Sequence, residues 1–240
     1  MANRITTEQL IGGVVSKLRE KRKGIVSSVV SLGSNEWQLN VDNTFDMKKG
    51  QFIEVEGVSA YIVEVSENTY LKVETSTDLT PATEWLSLQP YFYYGDPIDI
   101  NNEINRGTTD VDTKYPAVIM FEVQRERFYK DRSNLIGSEP TVRLFFMDQE
   151  NYEDSSIDDL YSTVDRMKNL ALEFINQLDL TPHVYIQDSE YSINNHSKWG
   201  VKVIRDRRTS SETIFDNNLT GVELVIDVPL AKTLQFSCEC

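Results

Sequence analysis

The segment from Ser155 to Leu180 constrains the fold more than any other, because it has the pattern of one long amphipathic helix. Ser155 or Ser156 can cap its start, and Thr181–Pro182 ends it. Its apolar residues recur every three or four positions, which aligns them along one side of a helix; they are Ile157, Leu160, Tyr161, Val164, Met167, Leu170, Ala171, Phe174, Ile175 and Leu178. At about 1.5 Å per residue this helix is roughly 33 Å long, enough to cross a whole sheet. We therefore predict a scaffold helix without a catalytic signature.

Near the start of the chain the spacing of apolar residues changes from a helical period to every second position. A leading helix is predicted over Thr7–Lys23, with Gly24 ending it. Five short strands follow, separated by turn residues: Ile25–Leu32, Glu36–Val41, Gln51–Glu56, Val58–Val65 and Tyr70–Thr75. Strands at this regular spacing are typical of a small barrel. We expect residues 25–87 to form a barrel-like β module that is inserted into, or precedes, a core of residues 1–24 and 88–240.

The remaining strands are predicted on both sides of the long helix. Tyr115–Lys130 and Pro140–Asp148 are expected to pair as an antiparallel hairpin with a long tip at Asp131–Ser138. Before this hairpin, Pro90–Asp96 is an extended aromatic segment, followed by a loop or one helical turn. Three strands are predicted after the long helix, at His183–Ile193, Trp199–Asp206 and Thr220–Leu230. This order predicts an α+β fold, an antiparallel sheet packed with the long helix and the N-terminal helix.

The balance of charge restricts the partners that the chain can bind. The net charge is −14, from 24 basic and 38 acidic residues. Such a chain is a poor nucleic-acid binder, although DNA can pass an acidic surface without binding to it. A basic cluster at Lys17–Lys23 lies near the predicted end of the leading helix, where positive charges complement the helix dipole. A second cluster, Arg205, Arg207 and Arg208, favours a solvated face or a contact with an acidic neighbouring surface over a DNA site.

Membrane and disulfide signals are weak. No apolar run approaches the ~20 residues that a membrane-spanning helix needs, and the start of the chain does not have the pattern of a signal peptide. Both cysteines, Cys238 and Cys240, lie in the last three residues, where they cannot staple the fold. A terminal C-x-C holds a soft metal only if other ligands join it, so a frayed thiol tail is favoured. We expect synthesis in a reducing cytosol and no membrane partner.

Catalytic motifs are not found in the sequence. It contains no nucleotide-binding loop, no nucleophile elbow and no zinc-binding helix motif. His183 at a strand start and His196 in a tight turn, Asn194–Ser197, are each expected to be structural. We expect no catalytic residue, no metal and no cofactor, and therefore a protein that is not an enzyme.

Two further residue groups have both a functional and a structural interpretation. The acidic residues Asp148, Glu150, Glu153, Asp154, Asp158 and Asp159 could ligate calcium. They lack the glycine and the ligand spacing of an EF-hand loop, so a solvated acidic loop that complements the helix dipole is favoured. The aromatic group Tyr91–Tyr94 could form a platform for a sugar ring, but alternation on a half-buried strand explains it about as well.

The order of elements resembles the tail terminator or tail-completion proteins of tailed bacteriophages. The resemblance is carried by a leading helix, a hairpin built on the strand YPAV, an acidic loop, the long helix Ile157–Leu178 and a closing strand TGVELVIDVPL. It covers residues 1–24 and 90–230, whereas the β module departs from the pattern and could instead belong to a ring protein of a short-tailed phage neck. The resemblance implies that α/β protomers form a ring, commonly hexameric, which caps the tail tube and docks to the head-side connector.

From this resemblance we expect a structural virion protein, a ring subunit at the head–tail junction that surrounds the DNA channel. Its expected partners are copies of itself, in a hexamer or dodecamer, a portal or connector-side protein, and the tail tube or tail hub. The candidate interface residues lie at the hairpin tip and in a late loop; they are Asp131, Arg132, Ser133, Asn134, Arg205, Arg207 and Arg208. The alternative is a carbohydrate-binding baseplate or receptor-binding module that uses Tyr91–Tyr94 and the β module.

Overall fold

The computed structural model describes residues 6–18, 23–33, 35–44, 47, 49, 51–66, 68–80, 82–87, 90–105, 115–121, 125–131, 134–150, 156–182, 184, 186, 190–199 and 218–231. The chain divides into two compact units, Met1–Leu18 with Pro90–Cys240, and Arg19–Gln89. The described residues contain helices in the first unit and strands in both. The prediction of a mixed α+β fold with a small barrel-like module is confirmed.

The second unit is a closed six-stranded barrel. Its strands are β1 (Lys23–Gly33), β2 (Glu36–Val41), β3 (Phe52–Val55), β4 (Val58–Ser66), β5 (Tyr70–Glu74) and β6 (Glu84–Ser87). They close in the order β1-β2-β5-β4-β3-β6, and every neighbouring pair is antiparallel. The sixth strand, β6, is not among the five predicted strands because a polar, threonine-rich stretch precedes it. Its Trp85 side chain is only 3% exposed and belongs to the barrel core.

Gly24 lies inside β1 and does not end the leading helix. It pairs with Trp85 across the β1–β6 ladder. A Cβ atom at this position would lie 2.4 Å from Trp85 Nε1 and 2.7 Å from Asp42 Oδ1. The glycine therefore allows the indole to lie directly against the backbone of the neighbouring strand. The predicted boundary is wrong because close packing and helix termination both select glycine.

The barrel should fold without the rest of the chain, because closure pairs its strands and it has its own buried core. Its buried residues are Val26, Leu39, Val41, Ile53, Val55, Ala60, Ile62, Leu71, Val73, Leu79, Ala82 and Trp85. We expect a fragment of residues 19–89 to give a dispersed amide spectrum by NMR. A matched fragment of residues 19–80, which lacks β6, should not. A disordered spectrum from the longer fragment would contradict the prediction.

The first unit is a sheet with helices on both faces. Its elements are α1 (Thr7–Val15), β7 (Tyr91–Tyr94), α2 (Pro97–Asn105), β8 (Ala117–Met120), β9 (Arg125–Asp131), β10 (Asn134–Gln149), α3 (Ile157–Asp179), β11 (Tyr191–Trp199), β12 (Leu219–Asp227) and β13 (Leu230–Ala231). The strand order is β11-β12-β10-β8-β7, and β9 and β13 also pair with β10. All pairs are antiparallel except β7 with β8, whose crossover connection contains α2.

Helices α1 and α2 both differ from their predicted form. Helix α1 begins after the cap residue Thr6 and ends at Val15, so it is shorter than predicted. Helix α2 replaces the predicted loop or single turn, and Asp96 caps it by accepting hydrogen bonds from the backbone N–H groups of Ile98 (2.8 Å) and Asp99 (3.1 Å). The sequence of this helix is mainly polar, and of its three isoleucines only Ile100 and Ile104, spaced by one turn, are buried, whereas Ile98 is exposed.

Alternation along β10 separates two apolar cores. Val142, Leu144 and Phe146 pack with α1 and α3 on one face of the sheet, which we call the α3 face. Phe145 and Met147 pack with α2 on the other, the α2 face. The strand is therefore apolar on both sides where helices cover it, as expected for a central strand.

The long helix is confirmed at Ile157–Asp179, with Ser156 as its cap in a capping box with Asp159. The predicted apolar stripe is buried at Val164, Met167, Leu170, Ala171, Phe174 and Leu178. The prediction is wrong for Ile157 and Tyr161, which are 71% and 62% exposed. Full burial begins at Thr163; before it Leu160 is half-buried and the other residues of the helix are exposed to solvent.

The strands after α3 are shifted relative to the prediction. Strand β11 begins at Tyr191, so His196 lies within a strand and not in a tight turn. The predicted closing strand Thr220–Leu230 is divided into β12 and β13. Most of the predicted strand Trp199–Asp206 lies outside the described residues. The error at β11 arises because its sequence, YSINNHSKW, is mainly polar and exposed and has no apolar alternation to reveal a strand.

Candidate assembly interface

The hairpin β9–β10 replaces the predicted long tip at Asp131–Ser138. Asp131 pairs with Asn134, and the ladder continues toward Thr141, so the predicted tip is mostly strand. A register shift between Leu135 and Gly137 marks a β-bulge. A Cβ atom at Gly137 would lie 2.7 Å from the carbonyl oxygen of Leu230, so this glycine allows β13 to approach and does not form a turn. The sequence pattern therefore predicted a turn at a glycine that is needed for the close approach of a neighbouring backbone.

Of the predicted interface residues, Asp131 and Asn134 are brought together as a cross-strand pair at the end of the hairpin. Arg132 and Ser133, which connect them, lie outside the described residues. The same is true of the late-loop residues Arg205, Arg207 and Arg208. The role of these five residues in assembly stays a prediction.

One surface of the hairpin carries a hydrogen-bonded group of exposed side chains. Glu139 accepts a hydrogen bond from Arg127 Nη1 at 3.4 Å and another from the Tyr129 hydroxyl. The hydrogen bond to Glu139 raises the pKa of Tyr129 above its ordinary value, aided by partial burial and by the negative charge of the carboxylate. The Arg127 side chain is 49% exposed, whereas that of Glu139 is 16% exposed. The cation therefore faces solvent above its carboxylate partner.

A second charged group lies farther along the same face of β10. Arg143 Nε donates to Glu223 Oε1 at 2.7 Å, and Asn194 and His196 also approach this carboxylate, at 3.4 and 3.5 Å. Burial alone would raise the pKa of Glu223, but the hydrogen bond and charge of Arg143, together with His196 and Asn194, lower it below its ordinary value. The Arg143 side chain is 41% exposed and that of Glu223 is 7% exposed. Again the cation is the exposed partner.

Aromatic rings support this second group from one side. Phe145 contacts Trp199 and Phe121, with ring centroids 4.7 and 5.1 Å apart. The Arg143 guanidinium lies 6.0 Å from the centroid of the Phe145 ring, and the His196 ring is 6.2 Å away. Planar groups packed in this way restrict the orientations that Arg143 adopts.

These groups share one side of the sheet, which follows from the register. Arg127 is opposite Glu139 and Arg125 is opposite Thr141, and residues 139, 141 and 143 point to the same side because strands alternate. We call Arg125, Arg127, Tyr129 and Arg143 the arginine face; the first three residues are exposed, and the partly buried Arg143 keeps a 41% exposed side chain. It lies on the α2 face of the sheet, opposite α3. None of the four is a sequence candidate, although the R-x-R-x-Y spacing of strand residues 125–129 is the signal that could have revealed them.

The predicted solvated acidic loop is wrong for two of its members. Asp148 and Glu150 are buried, where Arg166 donates to Asp148 and the Thr163 hydroxyl donates to Glu150. Both donors lie on α3, so these contacts hold the end of β10 against the helix. Glu153 and Asp154 lie outside the described residues. In the described part of the chain, no group of three or more histidine, cysteine, aspartate or glutamate side chains could hold a metal ion.

The aromatic segment Tyr91–Tyr94 is strand β7, and its rings do not share one surface. Tyr93 is buried on the α2 face. Phe92 packs on the other face against α1, where a Cβ atom at Gly12 would lie 3.0 Å from its ring. Tyr91 and Tyr94 remain exposed. The rings therefore alternate on a half-buried strand and do not form a continuous platform.

Other candidate residues give less information. Cys238, Cys240 and His183 lie outside the described residues. Among the described helices, none is both long enough and apolar enough to cross a lipid bilayer.

A scan against models of known protein families finds no match to this chain, and a search of curated proteins finds no significant similarity.

Proposed function

We propose that this protein is a structural subunit of a ring at the head–tail junction of a tailed bacteriophage and has no catalytic role. The observation that best supports assembly is the arginine face, an ordered group of exposed arginine and tyrosine side chains. Arginine and tyrosine are enriched in protein–protein interfaces and among the residues that contribute most to binding. The identity of the assembly comes from the resemblance to tail terminator proteins.

Exposed ion pairs such as Arg127–Glu139 contribute little to folding stability, about 0–1 kcal/mol each. Fold stability therefore does not explain why three arginines lie along two adjacent strands. The carboxylates that hold Arg127 and Arg143 in fixed orientations reduce the side-chain entropy lost when a partner binds. An interface accounts for this arrangement better than a solvated surface does.

In the proposed ring, each subunit contacts the next through different surfaces, and the rotation closes on six or twelve copies. One end of the ring binds the portal or connector-side protein, and the other binds the tail tube or tail hub. The net charge of −14 suits a channel wall that repels phosphates, so that the genome passes without sequence-specific binding. The subunits are made in the host cytoplasm and end in the virion.

The test is a phage whose gene for this protein is deleted. We expect lysates to contain DNA-filled heads and separate tails, because the ring that joins them is missing, and electron microscopy counts the joined particles. Supplying the wild-type protein in trans should restore joined particles, and labelled protein should lie at the neck. Normal numbers of joined, infectious particles without the protein would contradict the proposed function.

A further inference from the structure

The arginine face has an exposed counterpart on the opposite side of the same sheet. The first turns of α3 expose two large apolar side chains, Ile157 and Tyr161, four residues apart and 71% and 62% accessible. Asp158 and Asp165 are exposed beside them. Positions 157, 158, 161 and 165 lie on one side of a helix, because residues three and four apart are neighbours. We call these four residues the helix stripe.

The two surfaces are complementary in charge and in residue type. The exposed charges of the arginine face are cationic, because Glu139 and Glu223 are 16% and 7% exposed and lie beneath their arginines. The charged members of the helix stripe are both acidic, and the exposed Lys168 lies one turn beyond Asp165 on the same side of the helix, outside the stripe. Arginine binds carboxylates through paired hydrogen bonds, and tyrosine and isoleucine provide the apolar contact that such an interface needs at its centre.

We propose that the arginine face of one copy of this chain binds the helix stripe of a second copy. The inference rests on the proposed function as a ring subunit and identifies the surfaces by which neighbouring subunits meet. Within a protomer the surfaces cannot meet, since they lie on opposite faces of one sheet, with α3 packed on the face away from Arg143. Each copy therefore presents one arginine face and one helix stripe, which point in different directions.

This arrangement determines the type of assembly. A contact between two different surfaces is heterologous, and its repetition produces a closed ring or an open filament, whereas a simple two-fold dimer uses the same patch twice. Because charge pairs contribute to it, the association should weaken as the salt concentration rises.

The experiment uses two reversed variants of the full chain. The acid-face variant, Arg125→Glu with Arg127→Glu, makes both of its surfaces acidic, and the base-stripe variant, Asp158→Lys with Asp165→Lys, makes both basic. Each variant alone should lose the oligomer, with subunit affinity at least tenfold weaker by mass photometry and sedimentation velocity, because like charges then face each other. Control reversals on the barrel strands, Lys23→Glu and Glu74→Lys, should assemble as wild type does.

Mixing the two variants provides the sharper result. The acidic surfaces of one variant then face the basic surfaces of the other at every contact, so an equimolar mixture should form an alternating ring with an even number of subunits. Native mass spectrometry, with one variant isotope-labelled, should find equal numbers of both. Restored assembly also shows that neither variant was simply unfolded.

Three results would overturn the inference: reversed variants that assemble as wild type does, folded variants whose mixture stays unassembled, or a wild-type protein that remains monomeric at high concentration. Folding is followed by circular dichroism melting curves of each variant. These results leave the deletion phage to decide the proposed function, because a ring that assembles through other surfaces still joins heads to tails. A protein that forms alternating rings but is absent from the neck contradicts the proposed function alone.

Discussion

Replacing Phe174 by alanine should lower the free energy of unfolding by about 3–5 kcal/mol. The Phe174 side chain is fully buried on the α3 face, and its ring lies edge-on to Phe146 of β10 with 5.7 Å between centroids. Truncation removes the transfer free energy of the ring and leaves a cavity that the helix and sheet cannot close completely. Urea unfolding followed by circular dichroism measures the change.

Ile157→Ala is the matched control, because this residue belongs to the same apolar series of the sequence but is 71% exposed. Measured at a concentration where the chain is monomeric, so that the proposed subunit contact of Ile157 is absent, it should change stability by no more than about 0.5 kcal/mol. Equal urea midpoints for Phe174→Ala and the wild type would show that α3 does not pack on the sheet through this residue. A large loss for Ile157→Ala in the monomeric chain would show that burial begins earlier in the helix.

Replacing Arg166 by methionine should cost about 3–5 kcal/mol, because it leaves the Asp148 carboxylate buried without its cation. The side chains of Arg166 and Asp148 are 4% and 6% exposed. The pair joins the end of β10 to α3, so its loss should weaken the connection between the sheet and its main helix. Thermal and urea unfolding should both record the decrease.

The double variant Arg166→Met with Asp148→Asn separates charge from shape. Asparagine is neutral, and its side-chain oxygen can still accept the hydrogen bond that Asp148 accepts from the backbone N–H of Gln149 at 2.8 Å. We expect this variant to recover at least about 1 kcal/mol relative to Arg166→Met, since the uncompensated charge is gone. A double variant less stable than the single one would mean that packing of the arginine, and not charge, dominates.

The parts of the fold that a sequence pattern reveals are those where burial is one-sided and continuous. Helix α3 is predictable from its apolar spacing and from serine at its start, and the structure uses Ser156 as the cap. Five barrel strands are predictable because they are separated by turn residues and because most of them alternate between core and solvent. Strand β11 is mostly exposed and polar, so no alternation marks it. This segment forms a strand because it pairs with β12, and the sequence of the segment alone does not reveal that pairing.

Two glycines account for other errors in the predicted element boundaries. The sequence pattern assigns Gly24 to a helix end and Gly137 to a hairpin tip, yet both are strand residues. In each case the missing side chain makes room for another element, Trp85 or the backbone of Leu230. Local sequence does not distinguish a glycine needed for a turn from one needed for close approach, because the neighbour is distant in the chain.

The candidate interface is only partly predictable for a related reason. The sequence predicts a hairpin, but it places a long tip at Asp131–Ser138, whereas the structure pairs the two strands as far as Asp131 and Asn134. The arginine face does not, because Arg125, Arg127 and Arg143 lie on two strands whose register is required to place them on one side. Arg143 and Glu223 are 80 residues apart in sequence. Long-range pairing thus creates the surface that we propose for assembly.

Closure of the barrel brings its first and last strands side by side. Strands β1 and β6 are paired, with Lys23 opposite Leu86, so the chain enters and leaves the barrel through neighbouring strands about 5 Å apart. An insertion of this kind needs only a short interval between two adjacent points of the host chain. Such a module can therefore be gained, exchanged or lost in a single insertion or deletion, without a change in the fold of the segments on either side.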